Sequence, residues 1–323
     1  MEDLIFSLKK DTGPIKLAEN YDVVIFGGGP AGLTAAIYTA RAKLKTLVVE
    51  KKAVGGEAAA TDVIENYPGF PEGVRGAILA QRMEEQAKHF GAQIFYGEPV
   101  NIELAQQPKS FVLSGQQVQT KTIIIATGTA PKMLNIPGEK ELKGRGISYC
   151  ATCDAPIYAD RDIAVIGCGN SGLQEGLFIL KFVKSIVFVE FMPAIQAEKI
   201  LQERIMAHDN VKCYLNHQAI SINGDEAVTS ITIKDRSSEE IKEIPVGGVF
   251  IYIGLIPNTQ LLQDKVKLND WDYIITDEKL QTSVAGVFAA GDVRETVIKQ
   301  VATAIGDGAV AAVSAQNYIE SLK

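Results

Sequence analysis

The segment Cys150-Ala151-Thr152-Cys153-Asp154 carries the clearest chemical potential in this chain. Two residues between cysteines at a helix start bring both sulfurs within disulfide reach, and a helix N-terminus lowers the pKa of a thiol placed there. Asp154 adjoins the pair and can move a proton when a thiolate is protonated. A redox dithiol is the first reading. Zinc is the second, but a structural zinc needs four ligands and this pair supplies two. The other candidate ligands are Cys168, Cys213, His208 and His217. Cys168 lies inside a glycine turn and the rest are loosely spaced. Inert thiols are the third reading. His89, His208 and His217 read as surface or core histidines, and Cys213 as a small buried hydrophobe. No metal is expected.

The elements that must position this pair repeat. An apolar run over 21–26 leads into Gly27-Gly28-Gly29-Pro30-Ala31-Gly32, then a helical stretch to Arg41 and a second strand, 46–49, ending at Glu50. The same order returns later. The run 162–166 leads into Gly167-Cys168-Gly169-Asn170-Ser171-Gly172, a helix to about Val183, and a strand over 185–189 ending at Glu190. Both units are G-x-G-x-x-G, with the acid 23 positions after the first glycine. In such a unit the first glycine allows a tight turn and the second lets backbone approach a pyrophosphate. The third packs helix on strand, and the helix N-terminus attracts phosphate. The acid accepts hydrogen bonds from ribose hydroxyls. Two units imply two nucleotides. With the dithiol they form a relay: a nicotinamide delivers hydride, a flavin takes the electron pair, and the dithiol carries it out.

The apolar strand 122–125, ending at Ala126-Thr127-Gly128, has a counterpart in 248–254. Each closes its unit and serves as a connector. The expected fold is therefore α/β, with two Rossmann-like, three-layer ββα nucleotide-binding domains, the second inserted into the first. The first domain spans 1–131 and 256–323, and the inserted one, which carries the C-x-x-C, spans 132–255. The length of 323 residues suits about two domains. Hydrophobic residues at 46% and charged residues at 22% exclude disordered and fibrous classes. A formal net charge of −7 gives no basic footprint for nucleic acid. No apolar run approaches the ~18 residues of a membrane span. The N-terminus places acids before a short apolar patch, the reverse of a signal peptide. A cytoplasmic protein is expected, and the extension before Tyr21 reads as a surface strap or arm.

With these residues in view, the chain resembles the low-molecular-weight thioredoxin reductases over about residues 20–320. Gly27, Gly29, Pro30, Ala31 and Gly32, with Glu50, look like the family's FAD site. Glu65-Asn66-Tyr67-Pro68-Gly69 resembles its flavin-side loop, where the asparagine, here Asn66, contacts FAD. Thr127-Gly128 matches its strand-end turn, and Gly291-Asp292-Val293 its second FAD motif, where the aspartate binds the ribityl chain. A helix is expected from near residue 297. Cys150-Ala151-Thr152-Cys153-Asp154 matches the redox motif. The resemblance implies that Cys153 faces the flavin, Cys150 attacks a protein disulfide and Asp154 is the acid/base. It also implies thioredoxin as partner, a homodimer, and a rotation between domains, for which Gly128-Thr129 and Ile256-Pro257 are the hinges.

Departures from the family sharpen the reading. Members that use NADPH carry arginines after the second strand of the inserted domain. This chain has Glu190-Phe191-Met192-Pro193-Ala194-Ile195-Gln196, without arginine, and Gly172 where NADP-type sites often have alanine. Gly167, Gly169, Asn170, Ser171, Gly172 and Glu190 are the expected nicotinamide-side residues. NADH is favoured over NADPH, because Glu190 can hold a free 2′-hydroxyl. Related reductases that lack the basic cluster also include ferredoxin-fed ones. Near the flavin the family's Gly-Gly-Gln appears as Gly55-Gly56-Glu57, and its Arg-Gln-Ala as Lys299-Gln300-Val301. A carboxylate at Glu57 disfavours an anionic reduced flavin unless it is protonated or turned away. The leading function is a thioredoxin-disulfide reductase. The alternatives are the same reductase fed by ferredoxin or another donor, and a small-molecule dithiol oxidase that uses oxygen. Electron delivery to a peroxidase and a flavin-bound sensor are weaker readings, since the chain has a single C-x-x-C and that motif is intact.

Overall fold

The computed structural model describes residues 16–322. The expected N-terminal strap falls largely on residues 1–15, outside that range. The first unit opens with β1 (Asn20–Phe26), α1 (Pro30–Arg41) and β2 (Thr46–Glu50). Val23, Val24 and Ile25 have no exposed surface, as suits β-branched residues in a strand covered on both faces. Next come α2 (Gly56–Ala59), α3 (Gly76–His89) and β3 (Gln93–Tyr96). A meander of β4 (Val100–Glu103), β5 (Lys109–Leu113) and β6 (Gln116–Ile125) follows.

The chain then crosses on β7 (Thr129–Pro131) into a second unit. That unit contains β8 (Ile147–Ser148), α4 (Ala151–Asp154), β9 (Asp162–Ile166), α5 (Asn170–Ile179) and β10 (Ser185–Val189). It continues with α6 (Lys199–Met206), β11 (Val211–Tyr214), β12 (His217–Asn223), β13 (Ser230–Asp235), β14 (Ile241–Pro245) and β15 (Gly248–Ile251). The return crossing is β16 (Leu255–Pro257), and the chain ends on β17 (Val287–Ala289) and α7 (Val301–Ser321).

Among the described residues the first sheet has the order β3-β2-β1-β6-β5-β4. The first half of β6 pairs antiparallel with β5, and its last three residues pair parallel with β17. The returning chain thus rejoins the sheet that β1 began. The second sheet is parallel, in the order β11-β10-β9-β15-β8, with β12-β13-β14 as a separate antiparallel meander. This is the expected pair of Rossmann-like units. β7 and β16 pair antiparallel where the chain passes between them.

Two elements differ from expectation at their ends. α5 stops at Ile179 rather than Val183, and the chain turns there so that Val183 can enter the core. The last helix starts at Val301, not near 297. Gln300 is its N-cap in a capping box with Thr303, which fixes the first turn. α7 lies against α1 through small residues. A Cβ on Gly308 would stand 2.2 Å from the Ala31 carbonyl oxygen, so the two backbones nearly touch. No helix among the described residues is long and apolar enough to cross a membrane.

Candidate active site

The dithiol segment forms α4 as expected. Cys150 is its N-cap, and its sulfur accepts a hydrogen bond from the Cys153 backbone N–H at 3.3 Å. The two sulfurs are bonded as a disulfide, with Cα atoms 5.4 Å apart. That bond sets aside the zinc reading. Cys153 is exposed and Cys150 half-buried. Ser148 steadies Cys150 by accepting from its backbone N–H at 3.0 Å.

Thr152, between the cysteines, donates its hydroxyl to the Ala60 carbonyl of the first unit. Three further contacts cross the same junction. Gln174 donates to the Val63 carbonyl at 3.2 Å, Lys181 pairs with Asp62 at 2.8 Å, and Arg204 pairs with Glu65 at 2.6 Å. The disulfide is therefore docked on the segment that follows α2 and leads to Asn66. Glu175 of α5 is held near this junction. Burial, then the charges of Asp62 and Glu57, push its carboxyl up to about 7. Burial likewise holds Glu57 above the usual carboxylate range, against the pull of Lys52.

The two glycine turns are near copies. Gly27 and Gly167 sit at φ of +105° and +103°. A Cβ on Gly32 would lie 1.9 Å from the Gly27 carbonyl oxygen, and one on Gly172 would lie 2.1 Å from that of Gly167. Packing alone therefore demands glycine at 172. In this chain the absence of alanine there says nothing about coenzyme choice. The acids match as well. Glu50 accepts from the backbone N–H of Gly28 at 2.7 Å and of Lys52 at 2.8 Å. Glu190 accepts from Cys168 N–H at 2.6 Å and Met192 N–H at 2.9 Å.

Residues expected near a flavin converge from distant segments. The Asn66 amide donates to the Gln300 side chain at 3.0 Å. Thr127 and Asn258 exchange two bonds of 2.8 Å, tying together the two crossings between the units. Burial pushes the Asp292 carboxyl up to about 6; Lys299 opposes this, while Asp307 and Glu57 add to it. Lys299 also lies over the Tyr273 ring at 4.2 Å. The Gly291–Val293 turn is braced by Asp307, which accepts from Gly291 N–H at 3.0 Å and takes both arms of Arg294, at 2.6 and 2.8 Å.

A cavity of about 610 Å³ opens at the second glycine turn. Its walls include Gly167, Gly169, Glu190, Phe191, Gln196, His217 and Tyr252. The Tyr252 hydroxyl points toward the Ala151 backbone but completes no hydrogen bond. The Asn170 side chain is instead engaged with Glu198, accepting from its N–H at 2.7 Å and donating to its carboxylate at 3.1 Å. Ser171 is exposed on the first turn of α5. Cys168 is buried beside Cys213, and that thiol, then burial, holds its own thiol well above the ordinary range. Cys213 is half-exposed rather than buried, with its sulfur 3.9 Å from that of Met206.

Comparison with known proteins agrees with this geometry. Residues 21–308 match the family model described as pyridine nucleotide-disulphide oxidoreductase. A thioredoxin reductase of Peptoclostridium litorale is 40% identical over 94% of this chain and 98% of its own length. One from Bacillus subtilis is 39% identical over 94% and 96%. The crystal structure of Lactococcus lactis thioredoxin reductase in its FR conformation superposes with a TM-score of 0.91 at 38% identity, covering 93% of this chain and 99% of that one.

The chain belongs to the thioredoxin reductase family. It is a flavin-dependent disulfide oxidoreductase, and membership implies FAD and a pyridine nucleotide. The residues present suit both groups. α1 and α5 each begin at a glycine N-cap, Gly29 or Gly169, without a side-chain cap. A Cβ on either glycine would meet nothing within 4 Å. Each helix thus keeps free backbone N–H groups and open room in front of them, which is what a pyrophosphate needs.

Sequence reasoning missed several residues at the site. Thr152 lay within the quoted motif but had no assigned role. Arg294 and Asp307 had no spacing signal, because they meet across a turn and a helix 13 positions apart, and Glu175, Tyr252 and Asn258 had none because each acts on a partner far along the chain. Arg236 was missed for the same reason. Its guanidinium stacks on Phe191, 3.6 Å from the ring centroid, at the shoulder of the cavity.

Proposed function

We propose that this protein passes electrons from NADH through FAD to the Cys150–Cys153 disulfide and on to thioredoxin. One observation carries the reading: the disulfide is docked by Thr152 on the Ala60 carbonyl, beside the segment that bears Glu57 and Asn66. When bound, FAD supplies a two-electron carrier between a hydride donor and a disulfide. Gly27, Gly29, Gly32 and Glu50 hold its adenosine diphosphate half; Asn66, Gln300 and Asp292 hold the flavin half. Burial raises the Glu57 pKa, against the pull of Lys52, in the direction that eases a carboxylate beside a reduced flavin.

The exposed Cys153 is the sulfur offered to the carrier. An electron pair and two protons entering the disulfide break the S–S bond and leave two sulfhydryls. Cys150, as thiolate, then attacks a disulfide of thioredoxin. A mixed disulfide forms and one thioredoxin thiolate leaves. Cys153 displaces the second thioredoxin sulfur from Cys150, which restores the Cys150–Cys153 bond. Asp154 takes and returns the proton that accompanies each thiolate. Since the disulfide faces the first unit, the β7/β16 crossing at Thr129 and Ile256 is the hinge by which it reaches a bulky protein.

The donor assignment is supported by the matched poses of Glu50 and Glu190. A carboxylate held by two backbone N–H groups at the strand end is the arrangement that receives a ribose with free hydroxyls. The formed cavity beside Glu190 favours a nicotinamide nucleotide over ferredoxin as donor. A homodimer completes the reading by family resemblance. The test is anaerobic flavin bleaching with NADH and NADPH, followed by thioredoxin reduction. NADH should bleach the flavin at lower concentration than NADPH. Cys150→Ser and Cys153→Ser should each abolish thioredoxin reduction while FAD stays bound. Full activity in either variant sinks the relay, and bleaching by reduced ferredoxin alone sinks the donor assignment.

A further inference from the structure

Phe191 follows Glu190 directly and lines the same cavity, yet about half of its surface is exposed, at 49%. A large apolar ring left open at that level is held in place by unusual means. The Arg236 guanidinium covers one face at 3.6 Å from the centroid. The same guanidinium donates to the Phe191 carbonyl at 3.0 Å and to the Asn216 side chain at 3.2 Å. Asn216 in turn donates its N–H to the Met192 carbonyl at 2.9 Å and its amide to Ser237 at 2.6 Å. Three segments, at 190–192, 214–217 and 235–237, are laced together around one ring.

We propose that Phe191, backed by Arg236, is the adenine platform of the second nucleotide cavity. The proposal rests on the reading of that cavity as a dinucleotide site and deepens it. Glu190 and Phe191 line the same cavity, so a base on the Phe191 ring leaves its ribose on the side of the Glu190 carboxylate. An uncharged planar base is the ligand chemistry that suits a flat ring. Aromatic stacking of this kind tolerates any base, while Glu190 selects the sugar. A cation on the far face draws electron density from the ring, which favours stacking with an electron-rich purine. The arginine sought in the sequence just after the second strand is thus present in space, delivered from the end of β13. Its task is to orient the ring.

The test is equilibrium binding of ADP-ribose and of 5′-AMP to the FAD-loaded full chain by calorimetry, with thermal unfolding as a folding control. Phe191→Leu should weaken both ligands ~5- to 50-fold. Arg236→Gln should weaken them less, by about threefold, and Phe191→Trp should bind as well as the parent or better. Unchanged affinity in Phe191→Leu and Arg236→Gln overturns the platform and leaves the stack as a mere fastening of the turn. Tighter binding of 2′,5′-ADP than of 5′-AMP, lost in Arg236→Gln, also overturns it, since the cation would then be reading a phosphate. If ADP-ribose binds through Phe191 but NADH leaves the flavin oxidised, the platform stands and the donor assignment falls. If the parent binds neither ligand, both fall.

Discussion

The hydroxyl of Thr152 and the carbonyl of Ala60 meet across the two units, 92 positions apart in the chain. Thr152 lies between the redox cysteines, and Ala60 follows the helix that carries Glu57. The contact therefore couples the position of the disulfide to the flavin side. Thr152→Val keeps the shape and removes the donor. It should cost about 1 kcal/mol and slow electron transfer into the disulfide, while leaving the flavin's own reduction by the donor unchanged. Rapid-mixing absorbance resolves the two phases. Equal rates of disulfide reduction in parent and variant would show that Thr152 does not set the docking.

Glu175 gives the junction a pH dependence with a definite sign. Its pKa is raised from 4.5 to about 7 by burial and by Asp62 and Glu57. Between those values the folded chain binds a proton that the unfolded chain has lost, so stability falls as pH rises from about 4.5 to 7. The full loss is on the order of 3 kcal/mol above pH 7. Glu175→Gln should flatten this part of the curve and raise the thermal midpoint at pH 8. The same pH slope in parent and variant would assign the effect to other groups.

Gly172 tests the packing account of the second turn. An alanine there would place its Cβ 2.1 Å from the Gly167 carbonyl oxygen. Backbone must move, at a cost of about 1–3 kcal/mol. Gly172→Ala should weaken nucleotide binding at the second cavity and leave FAD content intact. A stable variant with improved NADPH use would instead revive the view that this position chooses the coenzyme.

Asp307 supports the Gly291–Val293 turn from α7. Its pair with Arg294 is largely sheltered, with side-chain exposures of 14% and 19%. Removing one partner of such a pair leaves the other charge uncompensated, and costs of about 3–5 kcal/mol are typical for buried cases. Asp307→Asn keeps some hydrogen bonding, so a loss of about 2 kcal/mol is expected, with faster release of FAD on heating because Asp292 shifts with the turn. Cofactor fluorescence during a thermal ramp reads both effects.

What the chain could announce by itself was local. Glycines at fixed spacing, β-branched runs on either side and an acid at the next strand end define a turn whose geometry depends on few neighbours. Both nucleotide turns and the helix start at the cysteine pair were therefore readable from sequence. The meetings that complete the site were not. Asn66 and Gln300 lie 234 positions apart, yet they share a hydrogen bond. Phe191 receives its arginine from 45 positions away, and Glu175 is perturbed by acids of the other unit. No periodicity or propensity encodes such pairs. They arise from how β6 splits its partners between β5 and β17, how β13 ends beside β10, and how the two units dock. Each of these follows from burial summed over whole sheets, and only the assembled structure carries out that sum.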